Sequence, residues 1–433
     1  MLDPRFIREH SKDVRENMKK RGMDVSLVDG WLQLDEKIRT LKQENDELKH
    51  ERNVISQKIN EFKKTGKEKE AKEAIRQARE IPEQIKRADD EILDIEKRLR
   101  DISMNLPNML DKSVPIGDTT KNKVIKVFGK PKKLSFEAKG HEELLISLNQ
   151  LDIEKAAKVS GARFYYLKNE IARLNYAIIC FALDFLKKKG FTLIQPPYML
   201  KKEALEGALP FAAFEEMIYK IENEDLYLIG TAEHALNAYY INNLFNINEL
   251  PVRFAGFSSC FRKEAGSHGK DTKGIFRTHQ FDKIEQFVFC RPEQSWKEFD
   301  LVLKNSEEIL KQLEIPFRFV ILSSQDTGRV PTKTIDFEGW FPTQKAYREL
   351  GSCSNCLDYQ ARRSNIKYEE KNERKFVHTL NNTAIATERM IACIVENHQQ
   401  KDGSIKIPKA LQKYCGFKEI KAAKVEKAKK KKK

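Results

Sequence analysis

The stretch FRKEAGSHGKDTKGIFRTHQFDKIEQF, residues 261–287, combines residue types that could bind a phosphorylated ligand. It contains three glycines and eight arginine, lysine or histidine side chains between two segments that alternate as β-strands do. A P-loop requires G-x-x-x-x-G-K-[ST], whereas GSHGKD has a different glycine spacing and an aspartate after the lysine. The stretch therefore indicates a positively charged loop between two strands, but not a P-loop.

Alternation in the two flanking strands predicts which side chains share a face, because residues two apart in a strand point to the same side. Arg262 and Glu264 would share a face of the first strand, and Phe281, Lys283 and Glu285 a face of the second. If the strands pair as a hairpin, these groups line one surface. Such a surface could clamp a carboxylate or phosphate, hold a metal or ammonium ion, and stack a base.

Three further segments offer compatible side chains. They are TAEHAL with Thr231 and Glu233, YRELGSCSNCLDYQARR with Glu349 and Ser352, and LNNTAIATERMIACIVEN with Asn381, Thr383 and Arg389. Arg389 lies in a largely apolar helical pattern, where an unpaired guanidinium would be costly. We expect Arg389 to have an anionic partner, and a buried carboxylate or a bound phosphate would serve equally well.

Other catalytic and metal-binding patterns are weak. Cys353 and Cys356 have C-x-x-C spacing, but a closed zinc site needs four ligands and no second C-x-x-C or H-x-x-x-H follows. We therefore expect no structural zinc. The sequence also offers no convincing Ser-His-Asp or Cys-His arrangement, so its chemistry should not depend on a protein nucleophile.

A long helical hairpin precedes these segments. Apolar residues recur at alternating spacings of three and four in two runs, separated by a turn at KKTGK, residues 63–67. The first run is Leu34, Ile38, Leu41, Asn45, Leu48, Arg52, Ile55, Ile59 and Phe62; the second is Ala71, Ala74, Ala78, Ile81, Ile85, Ala88, Ile92, Ile95, Leu99 and Ile102. Two helices of about 30 residues would give an arm of roughly 45 Å, and Pro82 would kink the returning helix.

The distal half of this arm, residues 58–79, has eight basic and four acidic side chains. It could touch nucleic-acid phosphates by charge and shape without reading bases. An ordinary coiled-coil spacer with a solvated face would show the same pattern. The arm alone does not decide between the two interpretations.

Composition sets broader limits. The 433 residues are enough for two or three domains, and the net charge of +15 suggests a polyanionic partner. The last sixteen residues contain nine lysines and two glutamates, which predicts a disordered tail. Seven scattered cysteines, an N-terminus without an apolar signal core and the absence of a membrane-length apolar stretch point to a reducing cytoplasm.

In this order, the segments closely resemble those of the seryl-tRNA synthetases, a family of class II aminoacyl-tRNA synthetases. GFTLIQPPYML resembles motif 1, FRKEAGSHGKDTKGIFRTHQFDKIEQF motif 2, and NNTAIATERMIACIVEN motif 3. The N-terminal hairpin resembles the family's tRNA-binding arm, so the resemblance covers the whole chain except the lysine tail. Lys270 and Lys273 stand where the motif 2 loop frequently has arginines, which keeps the charge but not the geometry.

The resemblance implies an α+β protein: a long antiparallel coiled-coil hairpin followed by a class II catalytic domain on an antiparallel β-sheet flanked by helices. We expect a tRNA-binding domain at residues 1–110 with its arm at about 34–104, and a linker at 111–134. The catalytic domain would span residues 135–417, and the disordered tail 418–433. Motif 1 also implies a homodimer.

Roles for individual side chains follow from the same resemblance. The implied ATP-binding residues are Arg262, Lys263, Glu264, Arg277, Thr278, Phe281, Glu349, Leu350, Gly351, Ser352 and Arg389. The implied serine-binding residues are Thr231, Glu233, Arg262, Glu285, Asn381 and Thr383. Arg262, Glu264 and Arg389 would be catalytic, Glu349 and Ser352 would hold Mg²⁺, and Phe281 and Arg277 would sandwich adenine.

The implied activity is ATP-dependent formation of seryl-adenylate, followed by transfer of the seryl group to serine tRNA, and to selenocysteine tRNA where that tRNA is present. The implied partners are ATP, Mg²⁺, L-serine, tRNA and a second copy of the chain, with no membrane. A non-catalytic RNA-binding or scaffold protein that keeps a synthetase fold is the alternative. Only the enzyme needs the whole set of arginines, carboxylates and hydroxyls.

Overall fold

The structure is a computed structural model that describes residues 1–131, 133–264 and 274–422, with residues 212 and 213 lacking described side chains. The chain divides into two compact units, Met1–Pro107 and Asn108–Lys433. Lys270 and Lys273 lie outside the described residues, as does the tail from residue 423 onward.

All of the regular secondary structure in the first unit is helical. Its helices are α1 (Pro4–Glu9), α2 (Ser11–Lys20), α3 (Ser26–Lys64), α4 (Glu68–Ala78) and α5 (Ile81–Asn105). With 39 residues, α3 is about 58 Å long, longer than the sequence estimate. The heptad positions are buried or half-buried along almost the whole arm, with Arg52 as an exposed exception. The predicted coiled-coil hairpin is confirmed.

Polar contacts set the register between the two sides of the arm. Lys42 pairs with Glu96 at 2.6 Å, and Asp89 accepts hydrogen bonds from Asn45 at 2.7 Å and Lys49 at 3.0 Å. At the base, the Trp31 indole donates to the Ser103 hydroxyl at 2.8 Å. A buried asparagine in such an interface favours one alignment at a cost in stability.

The turn and the returning helix differ in one respect from expectation. Gly66 has φ of +72°, a left-handed conformation that suits glycine, and it lies between the end of α3 and the start of α4. The returning segment is broken at Arg79–Glu80, and Pro82 lies in the first turn of α5. Pro82 therefore does not kink a continuous helix, because proline is tolerated where no intrahelical N–H bond is required.

The second unit combines ten helices and seventeen strands within its described residues. The helices are α6 (His141–Ser147), α7 (Ile153–Ser160), α8 (Asn169–Lys188), α9 (Lys202–Ala208), α10 (Phe211–Phe214), α11 (Ala232–Ala238), α12 (Ser295–Gln312), α13 (Tyr359–Ser364), α14 (Thr387–His398) and α15 (Lys409–Cys415). The strands are β1 (Lys123–Phe128), β2 (Leu151–Asp152), β3 (Tyr166–Leu167), β4 (Thr192–Ile194), β5 (Met199–Leu200), β6 (Tyr227–Leu228), β7 (Leu244–Asn246), β8 (Val252–Phe261), β9 (Gln280–Cys290), β10 (Phe317–Ile321), β11 (Lys333–Phe341), β12 (Ala346–Leu357), β13 (Lys367–Glu370), β14 (Glu373–Phe376), β15 (His378–Ala386), β16 (Ile405–Lys406) and β17 (Glu419–Ile420).

An eight-stranded sheet forms the centre of this unit, in the order β1-β10-β11-β12-β15-β9-β8-β4. Neighbouring strands are antiparallel except β4 and β8, which are parallel. Helices α8, α12 and α14 pack against the sheet and share its main hydrophobic core. None of the described helices is long and apolar enough to cross a membrane. The predicted α+β architecture is confirmed.

Two boundaries inferred from composition need correction. Residues 111–134 were predicted to be a linker, yet β1 lies within them and pairs with β10 at the edge of the main sheet. The disordered tail was predicted from residue 418, yet β17 pairs with β16 and buries Ile420. β1, with the sequence KVIKVF, is exposed along its whole length and β17 has only two residues, so neither shows the alternation of apolar and polar residues that indicates a half-buried strand.

Packing in the arm generates a stability prediction. Ile95 is 1% exposed. Ile95→Ala should lower the stability of the arm by about 2–5 kcal/mol, because a cavity would replace buried methyl groups. Native-state hydrogen exchange of α3 and α5 amides in the full chain would measure the change. Leu93→Ala, on the same helix but 68% exposed, is the matched control and should change little. Equal effects of the two substitutions would contradict this account of the arm's core.

Candidate active site

One cavity of about 210 Å³ brings together the segments singled out in the sequence. It is lined by Thr231, Glu233, Arg262, Glu264, Ile275, Phe276, Arg277, Thr278, Phe281, Lys283, Glu285, Glu349, Leu350, Gly351, Ser352, Asn381, Thr383, Ala386, Glu388 and Arg389. Of the implied ATP-binding and serine-binding residues, only Lys263 is not in the lining. Its backbone N–H donates to the carbonyl of Met217 at 2.9 Å, and its ammonium lies 5.8 Å from the Tyr219 ring centroid.

Strand β8 ends at Phe261, so Arg262 and Glu264 do not extend it as the alternation predicted. Glu264 has φ of +48°, a left-handed conformation that a strand does not contain. Its side chain is 7% exposed and forms an ion pair with the guanidinium of Arg277. The side chains of Arg262 and Glu264 both reach the cavity because the chain turns at this point. The prediction of a shared strand face was therefore wrong for this pair.

Alternation along β9 does give the predicted face, since Phe281, Lys283 and Glu285 all line the cavity. Arg262 lies beside this face. Its guanidinium carbon is 5.2 Å from the Phe281 ring centroid, and its Nε donates to the carbonyl of Gly230 at 3.2 Å. The arginine thus lies between an aromatic ring suited to a base and the segment that carries Thr231.

A cluster of carboxylates and one ammonium group forms another part of the cavity. Lys283 Nζ pairs with Glu285 Oε2 at 2.6 Å, and the Thr231 hydroxyl donates to the same oxygen at 3.4 Å. Glu233 Oε1 accepts from Gln360 Nε2 at 2.7 Å and from Asn381 Nδ2 at 3.0 Å. Burial, with a contribution from the Glu285 charge, raises the pKa of Glu233 to about 7.

Strand alternation predicts Lys283 on the same face as Phe281 and Glu285, but the family resemblance implies no role for it. The Lys283–Glu285 pair is almost entirely buried, with side-chain exposures of 10% and 2%. Another ammonium group that binds Glu285 must therefore share or replace the lysine contact. A lysine that alternates with a site carboxylate was the signal available in the sequence.

Arg389 has the anionic partner that its position in α14 demanded. Its Nη1 pairs with Glu349 Oε1 at 2.9 Å and also donates to the Glu349 carbonyl at 3.3 Å. The guanidinium of Arg389 lowers the pKa of the Glu349 carboxyl group. A carboxylate on β12 therefore satisfies the arginine in this structure, and both groups still line the cavity.

Oxygen donors near Glu349 match the ligand preference of Mg²⁺. Ser352 faces Asp336 across the paired strands β11 and β12. Asp336 Oδ1 is buried and has no hydrogen-bond partner within the described residues, and burial together with the Glu349 charge raises the Asp336 pKa. The described residues contain no group of three or more histidine, cysteine or carboxylate side chains able to hold a metal by themselves. A Mg²⁺ ion at this position would need further oxygen ligands, from water or from a bound ligand.

Gly351 explains how closely two strands approach beneath the cavity. A Cβ at this position would lie 2.4 Å from Phe337 Cζ and 2.7 Å from Thr383 Cβ. These distances are too short for any larger residue without movement of the neighbours. The glycine thus allows Ser352 and Thr383, on β12 and β15, to meet at the same site.

Several lining residues were not recognised from the sequence. Phe276 lies close to two arginines, with the guanidinium carbons of Arg348 and Arg389 at 5.1 and 5.2 Å from its ring centroid. Glu388 accepts hydrogen bonds from the backbone N–H of Asp282 at 3.0 and 3.1 Å, and burial raises its pKa to about 7. Ile275 and Ala386 are the remaining additions. Adjacency to Arg277 and Arg389 was the available signal for Phe276 and Glu388.

The two cysteines of the C-x-x-C spacing are buried on β12. Burial raises the pKa of both Cys353 and Cys356, which disfavours the thiolate form that a metal requires. The Cys356 sulfur lies 3.6 Å from Asn381 Nδ2, a donor that also contacts Glu233. The pair therefore packs behind the cavity as small buried side chains.

Comparison with known proteins agrees with this architecture. The family described as tRNA synthetase class II core domain (G, H, P, S and T) matches residues 216–398, which include every residue that lines the cavity. The family described as Seryl-tRNA synthetase N-terminal domain matches residues 1–110. The fold and the site thus define a class II aminoacyl-tRNA synthetase.

Full-length relatives narrow the assignment. A serine–tRNA ligase of Cenarchaeum symbiosum (strain A) is 48% identical over 420 residues, covering 96% of this chain and 99% of the relative. The structure of seryl-tRNA synthetase from Pyrococcus horikoshii complexed with ATP has a TM-score of 0.94 and 44% identity, covering 98% and 100% of the two chains. That of the cytoplasmic serine–tRNA ligase from Naegleria fowleri in complex with AMP has a TM-score of 0.87 and 36% identity, covering 98% and 99%. The chain belongs to the seryl-tRNA synthetase family.

The raised pKa of Glu233 predicts a pH dependence of stability. Because this pKa rises from 4.5 to about 7 on folding, the folded state binds more protons than the unfolded state between these pH values. The contribution of Glu233 to the free energy of unfolding is therefore greatest below pH 4.5 and falls as the pH rises through 7. Relative to wild type, Glu233→Gln should be about 1–3 kcal/mol more favourable at pH 8 than at pH 4.5.

Denaturant titrations at several pH values would measure this difference. Glu388 has a similarly raised pKa, but its contribution is present in both proteins and cancels in the comparison. Glu369→Gln, at an exposed position on β13, is the matched control and should follow the wild-type pH curve. A Glu233→Gln effect that is the same at both pH values would contradict the assigned burial cost.

Proposed function

We propose that this chain activates L-serine with ATP to form seryl-adenylate and pyrophosphate, and then transfers the seryl group to the 3′ end of serine tRNA. The observation that carries the proposal is the convergence of arginines, carboxylates, hydroxyls and an aromatic ring in one cavity. Where selenocysteine tRNA is present, the same reaction would serve it. A scaffold that only binds RNA has no need for these buried charges, which are costly to maintain without a ligand.

In the first step, the serine carboxylate attacks the α-phosphorus of ATP, and the bond to the pyrophosphate oxygen breaks. The carboxylate is already ionised, so catalysis depends on alignment and on neutralising phosphate charge. Arg262 would contact both the serine carboxylate and the α-phosphate, since it lies between Phe281 and Gly230. Arg389 would bind the phosphates, Phe281 would stack on adenine, and Arg277 and Glu264 would complete the nucleotide site.

In the second step, a hydroxyl of the terminal ribose attacks the acyl carbon and loses its proton to solvent, and AMP leaves with the electrons of the acyl–phosphate bond. In the first step, Glu349 and Ser352 would hold Mg²⁺, which would neutralise ATP phosphate charge that the arginines cannot fully neutralise. The structure offers oxygen donors there, including the buried oxygen of Asp336. No side chain of the chain has to form a covalent intermediate.

Serine selectivity would come from the carboxylate end of the cavity. The serine ammonium and hydroxyl would meet Thr231, Glu285 and Thr383, with Glu233 and Asn381 holding the surrounding hydrogen bonds. Alanine would leave buried polar groups without partners, so the site could discriminate against alanine by about 10⁴-fold. Threonine would be excluded by the size of the site.

The helical arm would contact an RNA helix of the same tRNA whose 3′ end enters the cavity. Its basic distal half suits contacts to phosphates, which depend on charge and shape. We also infer a homodimer, in which the arm of one subunit would serve tRNA bound to its partner. A reducing cytoplasm is the proposed compartment, because all seven cysteines, which lie within the described residues, are free thiols.

ATP–pyrophosphate exchange without tRNA tests the activation step. The wild type should exchange label with serine but not with alanine, threonine or cysteine, and Glu285→Ala should lose at least about 100-fold because the ammonium and hydroxyl lose a charged partner. Glu370→Ala is the matched control, since Glu370 also pairs with a lysine, Lys375, at 2.7 Å but on β13, outside the cavity. A folded wild type without serine-dependent exchange would favour the RNA-binding scaffold.

Replacement of residues 43–95 by a short flexible linker tests the division of labour. The change keeps contacts at the base of the arm, including the Arg8–Asp35 ion pair and the Trp31–Ser103 hydrogen bond. We expect pyrophosphate exchange within about twofold of wild type and a loss of tRNA charging of at least about 100-fold, since the phosphate contacts would be gone. Equal loss of both activities would refute separate roles for the two units.

A further inference from the structure

A buried histidine outside the cavity connects its nucleotide-binding segment to α14. His141 is the first residue of α6 and is 7% exposed. Its Nδ1 lies 3.0 Å from Glu396 Oε1, and its Nε2 accepts a hydrogen bond from the backbone N–H of Ile275 at 3.4 Å. One imidazole ring thus joins a carboxylate on a core helix to the backbone that leads into Phe276 and Arg277.

The carboxylate end of this connection is firmly held. Glu396 lies near the C-terminal end of α14, and its side chain is 1% exposed. Its Oε1 also accepts from the His141 backbone N–H at 3.3 Å, while Oε2 accepts from the hydroxyl and backbone N–H of Thr343. Next to His141, Lys139 exchanges two backbone hydrogen bonds with the Gln399 side chain, each at 2.9 Å. The histidine therefore rests on a fixed support.

The other end requires a close approach of the backbone. Gly274 has φ of +69°, and a Cβ built at this residue would lie only 2.3 Å from His141 Nε2. Glycine allows both the conformation and the proximity. The adjoining Ile275 is fully buried, and the following residues, Phe276, Arg277 and Thr278, line the cavity.

The hydrogen bonds also indicate the tautomer of the ring. Nε2 accepts from the Ile275 N–H, so Nδ1 carries the proton and donates to Glu396. Glu396 thus selects this tautomer. An imidazole oriented in this way presents a fixed acceptor to the segment that begins at residue 274.

We propose that His141 is a positioning residue for ATP: through Ile275 it holds residues 274–278 in the conformation in which Phe276 and Arg277 bind nucleotide. This inference rests on the proposed adenylation function, because it concerns the nucleotide half of the same cavity. His141 itself does not line the cavity, and it acts only through the backbone that it holds. Its loss should weaken ATP binding while leaving the serine residues in place.

Two substitutions separate the contacts of the ring. His141→Asn keeps an amide N–H near the Nδ1 position but is too short to reach Ile275, whereas His141→Gln can place an amide oxygen near the Nε2 position. Kinetics of serine-dependent pyrophosphate exchange should give a KM for ATP about 5–10-fold higher in His141→Asn, as expected for one lost hydrogen bond. The KM for serine should stay within about twofold, and His141→Gln should restore most of the ATP effect.

Thr343→Val is the matched control, because it removes another hydrogen bond to Glu396 without touching Ile275. It should lower Tm but change the KM for ATP by less than about twofold, because the backbone N–H groups of Thr343 and His141 still hold Glu396. An unchanged KM in His141→Asn, or equal defects in the asparagine and glutamine variants, would overturn the positioning role. A rise in KM for Thr343→Val as large as that for His141→Asn would also overturn it.

Hydrogen exchange on the wild-type protein gives a second test that does not depend on the folding of a variant. Without ATP, the Ile275 amide should exchange at least about 100-fold more slowly than an unprotected amide, because His141 already holds it. Exchange at the unprotected rate would overturn the proposal. A wild type that lacks serine-dependent pyrophosphate exchange would instead refute the proposed function, and the two failures are therefore distinguishable.

Discussion

Charges that must be paired within a partly buried cavity govern the arrangement of the second unit. Three cation–carboxylate pairs, Arg277–Glu264, Lys283–Glu285 and Arg389–Glu349, lie around a single space. An unpaired charge in such surroundings would be strongly destabilising. Pairing therefore avoids the cost of isolated buried charges and keeps these groups near the positions where a nucleotide and an amino acid would bind. A bound substrate would replace one member of such a pair as the partner of a side chain that is already oriented.

The antiparallel sheet brings these pairs together from distant parts of the chain. Strand pairing puts Glu285 opposite Thr383 and Asp336 opposite Ser352, so that a shift of one residue would turn each side chain to the other face. Gly351 permits the close strand contact that this register requires. Helix α14 then adds Arg389 at one end and Glu396 at the other, linking the cavity to the support behind His141. The sheet thus positions the strand residues of the cavity, and α14 connects the cavity to His141.

The helical arm is stabilised in a different way. The core of the arm is a narrow seam made largely of small and branched side chains, so most of the arm's surface remains solvated and available to a long, charged partner. A seam of this kind depends on local periodicity, whereas the cavity depends on contacts between residues far apart in sequence. The two units can therefore carry separable activities, one for recognition of an RNA helix and one for chemistry on ATP and serine.

The coiled-coil arm, the α+β class and the family could be predicted from the sequence, because heptads and motif segments are local patterns that can be recognised without knowledge of contacts. Most of the cavity lining was predicted as well. Long-range packing, in contrast, was needed to show that Arg262 and Glu264 lie beyond the end of the strand, that Arg389 pairs with Glu349, and that β1 joins the sheet from within a segment interpreted as a linker. The same holds for His141 and Glu396, which are 255 residues apart. Partner choice depends on register and on burial across the sheet, and neither is encoded in the spacing of any single segment.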